Sequence, residues 1–198
     1  MCIRDSPHTG CDEGSLNLLF TYDGNTAGFD QTIAEDIELY LYDDQGKKID
    51  KRHIPYENIK GGKPYPLELP YSGNAYLVAW TLTGDEDIKK VSPALFDDEN
   101  YATARFSMSE HTTRGASSYN GSIQELFLKS MAFTQNPQEN RTLNVDVRKQ
   151  LCSISVTIEE GGSFATQYPG ILSMAIYGSS YSYNVAEDKQ NGGRIVIE

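Results

Sequence analysis

The chain has 198 residues, a net charge of −11 and 38% hydrophobic residues, and aromatics reach 11% because there are 13 tyrosines. A length near 200 permits one large domain or two small ones, and such a chain buries roughly 70% of its unfolded surface, enough for a real core. The acid excess argues against nucleic acid as a partner, because phosphates call for clustered Lys and Arg. No apolar stretch approaches the ~18 residues of a membrane-spanning helix, and three cysteines are too few for a disulfide framework or a zinc cluster.

Met1-Cys2-Ile3-Arg4-Asp5-Ser6 fits no structural pattern and reads as a translated adapter artefact, so residues 1–10 are set aside as artefact and truncated signal remnant. Thr9 and Gly10, two small residues, precede Cys11, and polar residues follow. That order resembles the end of a bacterial lipoprotein signal, where small residues let a peptidase reach the bond before a lipidated thiol. The other reading is an ordinary N-terminal thiol.

Strand signals then dominate. Leu16–Tyr22 is β-rich and ends at the turn signal Asp23-Gly24-Asn25. In Ile37–Tyr42, Ile37, Leu39 and Leu41 share one face while Glu38, Tyr40 and Tyr42 share the other. This period of two predicts a strand covered on one side. Asp43-Asp44-Gln45-Gly46 predicts a tight turn, and Lys47–Ile54 a polar return strand at an edge. Tyr65–Leu69 is a short strand whose Pro66 points to an edge or a strand start. Ala75–Leu82 is the most apolar run and reads as central, with Trp80 anchoring the core.

Residues 84–100 are acidic and turn-rich, a loop or short helix, and Ala102–Met108 is a further strand. Residues 109–121 read as an exposed loop. Ile123, Leu126, Phe127 and Met131 fit helical spacing, yet Leu126-Phe127-Leu128 also fits a strand. A polar turn over 136–141 leads to alternating Leu143–Val147, then Ile154–Ile158, Leu172–Tyr177 and Arg194–Ile197. About a dozen short strands without a long amphipathic helix predict an all-β protein of antiparallel sandwiches.

No residue pattern points to catalysis. His8, His53 and His111 lie in no metal motif. No nucleophile elbow is present, and Cys152 reads as a small core hydrophobe. Asp43-Asp44, Asp85-Glu86-Asp87 and Asp97-Asp98-Glu99 lack a calcium-loop pattern and read as solvated loops. Tyr40, Tyr42, Tyr119, Tyr177, Tyr181 and Tyr183 offer either an aromatic contact surface or ordinary strand propensity, the latter favoured. The expectation is therefore no catalytic residue, no metal, no cofactor and no enzyme.

Three segments together carry a resemblance. Leu39-Tyr40-Leu41-Tyr42-Asp43-Asp44-Gln45-Gly46 resembles an LYLFD-x-x-G strand and turn. Tyr76-Leu77-Val78-Ala79-Trp80 resembles a Y-x-L-V-A-W strand. Arg148, with Leu151, Ile154, Val156 and Ile158, resembles the R-x-x-A-K-I-x-V-x-I opening of a second domain. In this order, after a Cys, they resemble the fimbrillin-associated anchor lipoproteins of Bacteroidetes (FimB/Mfa type), over about residues 11–160. The resemblance implies tandem transthyretin-like β-sandwiches, here 11–147 and an incomplete 148–198. It also implies lipidation at Cys11, surface exposure on the outer membrane and fimbrial subunits as partners, with Trp80 and Arg148 in structural positions. Lys129 and Cys152 depart from the family pattern.

The implied role is to anchor a fimbria and limit its length, binding a subunit by strand addition. Two alternatives stand beside it, a surface glycan-binding lipoprotein and a fimbrial tip adhesin. Stem subunits of the family are cleaved after a basic residue in the first domain. Here no Lys or Arg lies between Arg4 and Lys47, which favours anchor over stem.

Overall fold

The computed structural model describes residues 15–69, 71–83, 94–97, 99–108, 111–113, 116–119, 125–136, 138–150, 176–179, 182–191 and 195–197. In chain order come β1 (Leu16–Thr21), helix α1 (Thr26–Thr32), β2 (Ile37–Tyr42), β3 (Lys48–Ile54), a 3-10 turn (Tyr56–Asn58), β4 (Tyr65–Leu67) and β5 (Gly73–Thr83). β6 (Ala94–Asp97), β7 (Arg105–Met108), β8 (His111–Thr113), β9 (Ala116–Tyr119), β10 (Glu125–Gln135), β11 (Arg141–Asp146) and β12 (Arg148–Lys149) follow. β13 (Ile176–Ser179), β14 (Ser182–Asn184), β15 (Lys189–Asn191) and β16 (Ile195–Ile197) complete the described strands. The all-β expectation holds.

A three-stranded sheet, β11-β1-β4, packs on a five-stranded sheet, β12-β10-β5-β2-β3. Period-two alternation builds the core between them. Ile37, Leu39 and Leu41 of β2 and Leu77 of β5 meet Leu18 and Phe20 of β1 and Leu143 and Val145 of β11, all buried. Each such side chain contributes about 1.5–3 kcal/mol of burial. β1 runs parallel to β11 and antiparallel to β4. The Asp43–Gly46 turn forms as its residues predict. The Asp43 carboxylate accepts the Gln45 and Lys47 N–H groups at 3.0 and 2.8 Å. Gly46 sits at φ +77°, where a Cβ would lie 3.1 Å from Asn100 Oδ1.

The five-stranded sheet is covered on both faces, which corrects the one-sided reading of β2. Tyr40 and Tyr42 are 3% and 0% exposed. They lie with Val78, Leu126 and Leu128 on the outer face, against Ala104, Phe106 and Val185. A second sheet, β15-β14-β7-β6, supplies this cover. Aromatic rings join the layers: Phe96 and Phe106 are 4.8 Å apart, Trp80 meets Phe106 edge-on at 5.1 Å, and Tyr76 stacks on Tyr101 at 4.3 Å. Two covered faces explain why β5 is apolar almost without interruption. A further sheet, β13-β16-β9-β8, again mixes strands from the 111–119 and 176–197 stretches.

Three local expectations change or resolve. Residues 125–131 belong to a strand, since β10 pairs with β5 from Glu125↔Thr83 to Gln135↔Gly73. The loop predicted over 109–121 contains β8 and β9, and the stretch at 84–100 contains β6. Helix α1 was not foreseen: Asn25 caps it, its Oδ1 accepting the Ala27 N–H at 2.8 Å, and Phe29 is its buried residue. The expected strand Ile154–Ile158 lies outside the described residues.

Candidate functional site: the edges of the sandwich

A β-sheet interacts through its faces and its edges. Among the described residues the sandwich sheets end in four edge strands: β3 and β12 in one, β4 and β11 in the other. They differ in length, charge and the fate of their outward backbone groups.

β3 is seven residues long and carries Lys48, Asp50, Lys51, Arg52 and His53. Asp50 and Arg52 share a strand face by the period of two, and Arg52 Nε donates to Asp50 Oδ2 at 2.8 Å. The other oxygen of Asp50 accepts the Lys51 N–H at 2.9 Å, so a side chain takes up that backbone donor. The Arg52 guanidinium also donates to the Glu68 carbonyl just beyond β4. Burial works to lower the Arg52 pKa, but its bonds to Asp50 and Tyr65 raise it above the ordinary arginine value. Lys51 reaches over the Tyr40 ring, 4.9 Å from its centroid. Further along, His53 Nδ1 lies 2.7 Å from Glu38 Oε1 and Nε2 lies 3.1 Å from Asp36 Oδ2. The hydrogen bond to Glu38 is the main reason the imidazole titrates above its ordinary range.

β4 has three residues, and Pro66 supplies no N–H. Residues 47–63, which span β3 and most of its connection to β4, hold six Lys and Arg against two acids. β12 has two residues. Its Lys149 is paired with Glu125, and the Arg148 carbonyl accepts from Gln150 Nε2 at 3.0 Å.

β11 is different. Its Arg141 N–H donates to the Ser15 carbonyl at 2.8 Å, and the following Val147 N–H to the Thr21 carbonyl at 2.9 Å. In a parallel ladder alternate residues turn both backbone groups to one side. The odd residues therefore face β1, and Thr142, Asn144 and Asp146 turn theirs outward. Thr142 and Asn144 are exposed, while Leu143 and Val145 are buried beneath them. Side chains rivet this edge to β1: Thr21 Oγ1 donates to Asn144 Oδ1 at 2.8 Å, and Ser15 N–H donates to Asn140 Oδ1 at 2.8 Å. Asp146 is the hub at the far end. It accepts the Gly24 N–H at 2.8 Å and the Arg148 guanidinium at 2.9 Å, with Thr21 Oγ1 at 3.1 Å. Burial alone would raise the Asp146 carboxyl, but bonds from Gly24, Arg148 and Thr21 hold it below the ordinary carboxylate range.

The residues singled out from sequence fare unequally. Cys11, His8 and Cys152 lie outside the described residues, as do the side chains of His111, Tyr119, Tyr177 and Tyr181. Tyr40 and Tyr42 are buried, and Tyr183 is half-buried with its hydroxyl on Asp188, so these three follow strand propensity. Trp80 anchors the outer aromatic cluster, not the inner core, and its Nε1 is buried without a partner among the described residues. Arg148 is exposed and holds Asp146. Lys129 pairs with Ala79 in the β10–β5 ladder. Sequence reasoning passed over Asp50, Arg52, Glu68 and Asp146. The available signal was a repeated Asp-x-Arg, Asp50-Lys51-Arg52 and Asp146-Val147-Arg148, which places an ion pair on one strand face. Among the described residues, no group of three or more His, Cys, Asp or Glu is placed to hold a metal, and no helix is long and apolar enough to cross a membrane.

No curated protein matches the sequence. Among solved structures, a candidate polysaccharide-binding protein of Bacteroides thetaiotaomicron superimposes with TM-score 0.62 at 15% identity, over 93% of this chain and 64% of that one. A candidate adhesin of Bacteroides ovatus gives 0.62 at 13%, over 93% and 62%. A candidate adhesin of Bacteroides thetaiotaomicron gives 0.59 at 14%, over 96% and 62%. The chain thus spans less than two thirds of these proteins, and the likeness is one of β-sandwich fold. The sequence model of the fimbrillin-A associated anchor proteins Mfa1 and Mfa2 matches residues 7–193, nearly the whole chain, and the chain belongs to that family.

Proposed function

We propose that this protein holds a fimbria at the outer membrane as a surface-exposed lipoprotein, with the lipid on Cys11, and limits the fimbria's length. Family membership over residues 7–193 is the observation that carries the reading. It supports a fimbria-associated role with fimbrial subunits as partners. Stable membrane attachment takes more than one acyl chain, which a di- or triacylated cysteine supplies. Capture of the first subunit is by strand addition, in which backbone hydrogen bonds give affinity and alternate side chains give register. A fold built almost wholly of strands is suited to it. No enzymatic step is needed.

Two changes in the bacterium that carries the gene test this. Deleting the gene is expected to release fimbriae into the medium and to alter their length. Cys11→Ala is expected to abolish incorporation of labelled palmitate and to release the protein from the membrane fraction. Fimbriae that remain cell-bound at normal length after deletion would overturn the anchor. A tip-adhesin role is supported by two structural neighbours described as candidate adhesins. It predicts instead that deletion leaves fimbriae attached but impairs adhesion. The glycan-binding reading is the weakest, because two of the tyrosines it invoked, Tyr40 and Tyr42, are buried.

A further inference from the structure

We infer that the β11 edge is where the partner's strand adds, and that its occupant is an extended segment of a fimbrial subunit with apolar residues at alternate positions. This rests on the anchor reading above and goes beyond it by naming the edge. β1 occupies the middle of its sheet, hydrogen-bonded to β11 on one side and β4 on the other. An added strand therefore goes outside the existing strands, at an edge.

The four edges are not equivalent. An unpaired row of N–H and C=O groups templates another strand unless length, charge, proline or cover blunts it. β3 is blunted by charge, and the Asp50 carboxylate holds its Lys51 N–H. β4 is short, contains Pro66, and is tied to β3 where Arg52 takes the Glu68 carbonyl. β12 spans two residues. β11 is six residues long with uncharged Thr142, Leu143, Asn144 and Val145 at its centre. Among the described residues, the outward backbone groups of Thr142 and Asn144 have no partner. Leu143 and Val145 point into the core beside this edge, so a strand laid against β11 directs alternate side chains to the same apolar layer. That pattern sets the chemistry of the occupant.

Proline substitution separates the edges, because proline removes one N–H and is tolerated on an edge strand. Thr142→Pro removes an outward donor of β11, and Lys51→Pro removes the corresponding donor of β3. Thr142→Lys keeps the N–H but gives β11 the kind of charge that blunts β3, at an exposed position that leaves folding intact. Each is placed in the chromosomal gene, surface level and thermal melting are checked, and cell-bound fimbriae are counted against the wild type and the deletion. Thr142→Pro is expected to weaken retention about tenfold, the scale of one backbone hydrogen bond left unmade. Thr142→Lys is expected to shed fimbriae as well, and Lys51→Pro to retain them. If deletion sheds fimbriae but Thr142→Lys and a folded Thr142→Pro retain them, the β11 assignment is overturned and the anchor stands. Shedding by Lys51→Pro as strongly as by Thr142→Pro also overturns it. If deletion itself sheds nothing, the anchor reading fails, and the proposal with it.

Discussion

The two lateral sides of the sandwich solve the same problem in opposite ways. On the β3–β4 side, Arg52 bridges from one sheet to the other, Asp50 takes a backbone donor, and lysines crowd the edge. On the β11 side, Asn140, Asn144 and Asp146 bond to Ser15, Thr21 and Gly24, in and beside β1, while Arg141 reaches the Thr134 carbonyl of β10 at 3.5 Å. One side uses its polar groups to close its edge. The other uses them mainly to fix its strand, and among the described residues the outward backbone groups of Thr142 and Asn144 keep no partner. The same residue types thus serve closure or presentation according to the direction in which their bonds point. A sheet can therefore protect most of its perimeter and still offer one place for a partner.

The most severe way to break this contrast is to remove what both sides share. Leu18 is fully buried on the central strand β1. Leu18→Ala should cost about 2–5 kcal/mol, the range for a buried Leu truncated to Ala, measured by denaturant unfolding. Both edges should lose order together.

Asp146→Ala disturbs only the open side. It leaves the Gly24 N–H and the Arg148 guanidinium without their acceptor, at a cost of about 1–3 kcal/mol. The sign of its pH dependence follows from its lowered pKa. The carboxylate's contribution is present above its ordinary pKa of 3.8 and is lost as pH falls through the lower folded value. The wild type should lose stability on acidification below 3.8 by an amount that Asp146→Ala lacks. Equal acid sensitivity in both proteins would contradict the hub.

Arg52→Met disturbs only the closed side. It keeps the aliphatic stem packed but frees the Glu68 carbonyl and Asp50, and should cost about 1 kcal/mol without altering fimbrial retention. The smallest effect belongs to His53. Its two ring nitrogens face Glu38 and Asp36, so the ring holds both contacts as hydrogen bonds only when it is charged and both nitrogens donate. Its raised pKa means the contribution is full below 6.5 and fades as pH rises through the raised folded value. The side chain is 56% exposed, so solvent screening holds the effect to no more than about half a kcal/mol. His53→Gln should therefore differ from the wild type at pH 5.5 more than at pH 9.

Much of this was legible in the sequence, and the physical reason divides what was from what was not. Strands such as Ile37–Tyr42 and Leu143–Val147 declare themselves because alternation is a local property. The charged edge at 47–54 and the turn at Asp43–Gly46 declare themselves for the same reason. Helix α1 did not, because seven residues are too few to show a helical period and Asn25 caps them only in context. The cover over Tyr40 and Tyr42 comes from Phe96, Phe106 and Val185, far along the chain, and no window around β2 contains it. The open edge was illegible for a similar reason. Leu143–Val147 reads the same at the middle of a sheet or at its rim, and only the strand order β11-β1-β4 places it outermost. Asp50-x-Arg52 and Asp146-x-Arg148 were visible as spacings, but only the neighbouring sheets decide that one closes an edge and the other holds a strand.

The most direct test is amide hydrogen exchange on the wild-type chain, alone and then bound to fimbriae sheared from the same cells. Alone, the outward amides of Thr142 and Asn144 should exchange quickly, while those of Leu143 and Val145, facing β1, are protected. Bound, protection should appear at Thr142 and Asn144, and β3 from Lys48 to Ile54 should be unchanged. New protection confined to β3, with none at β11, would contradict the account.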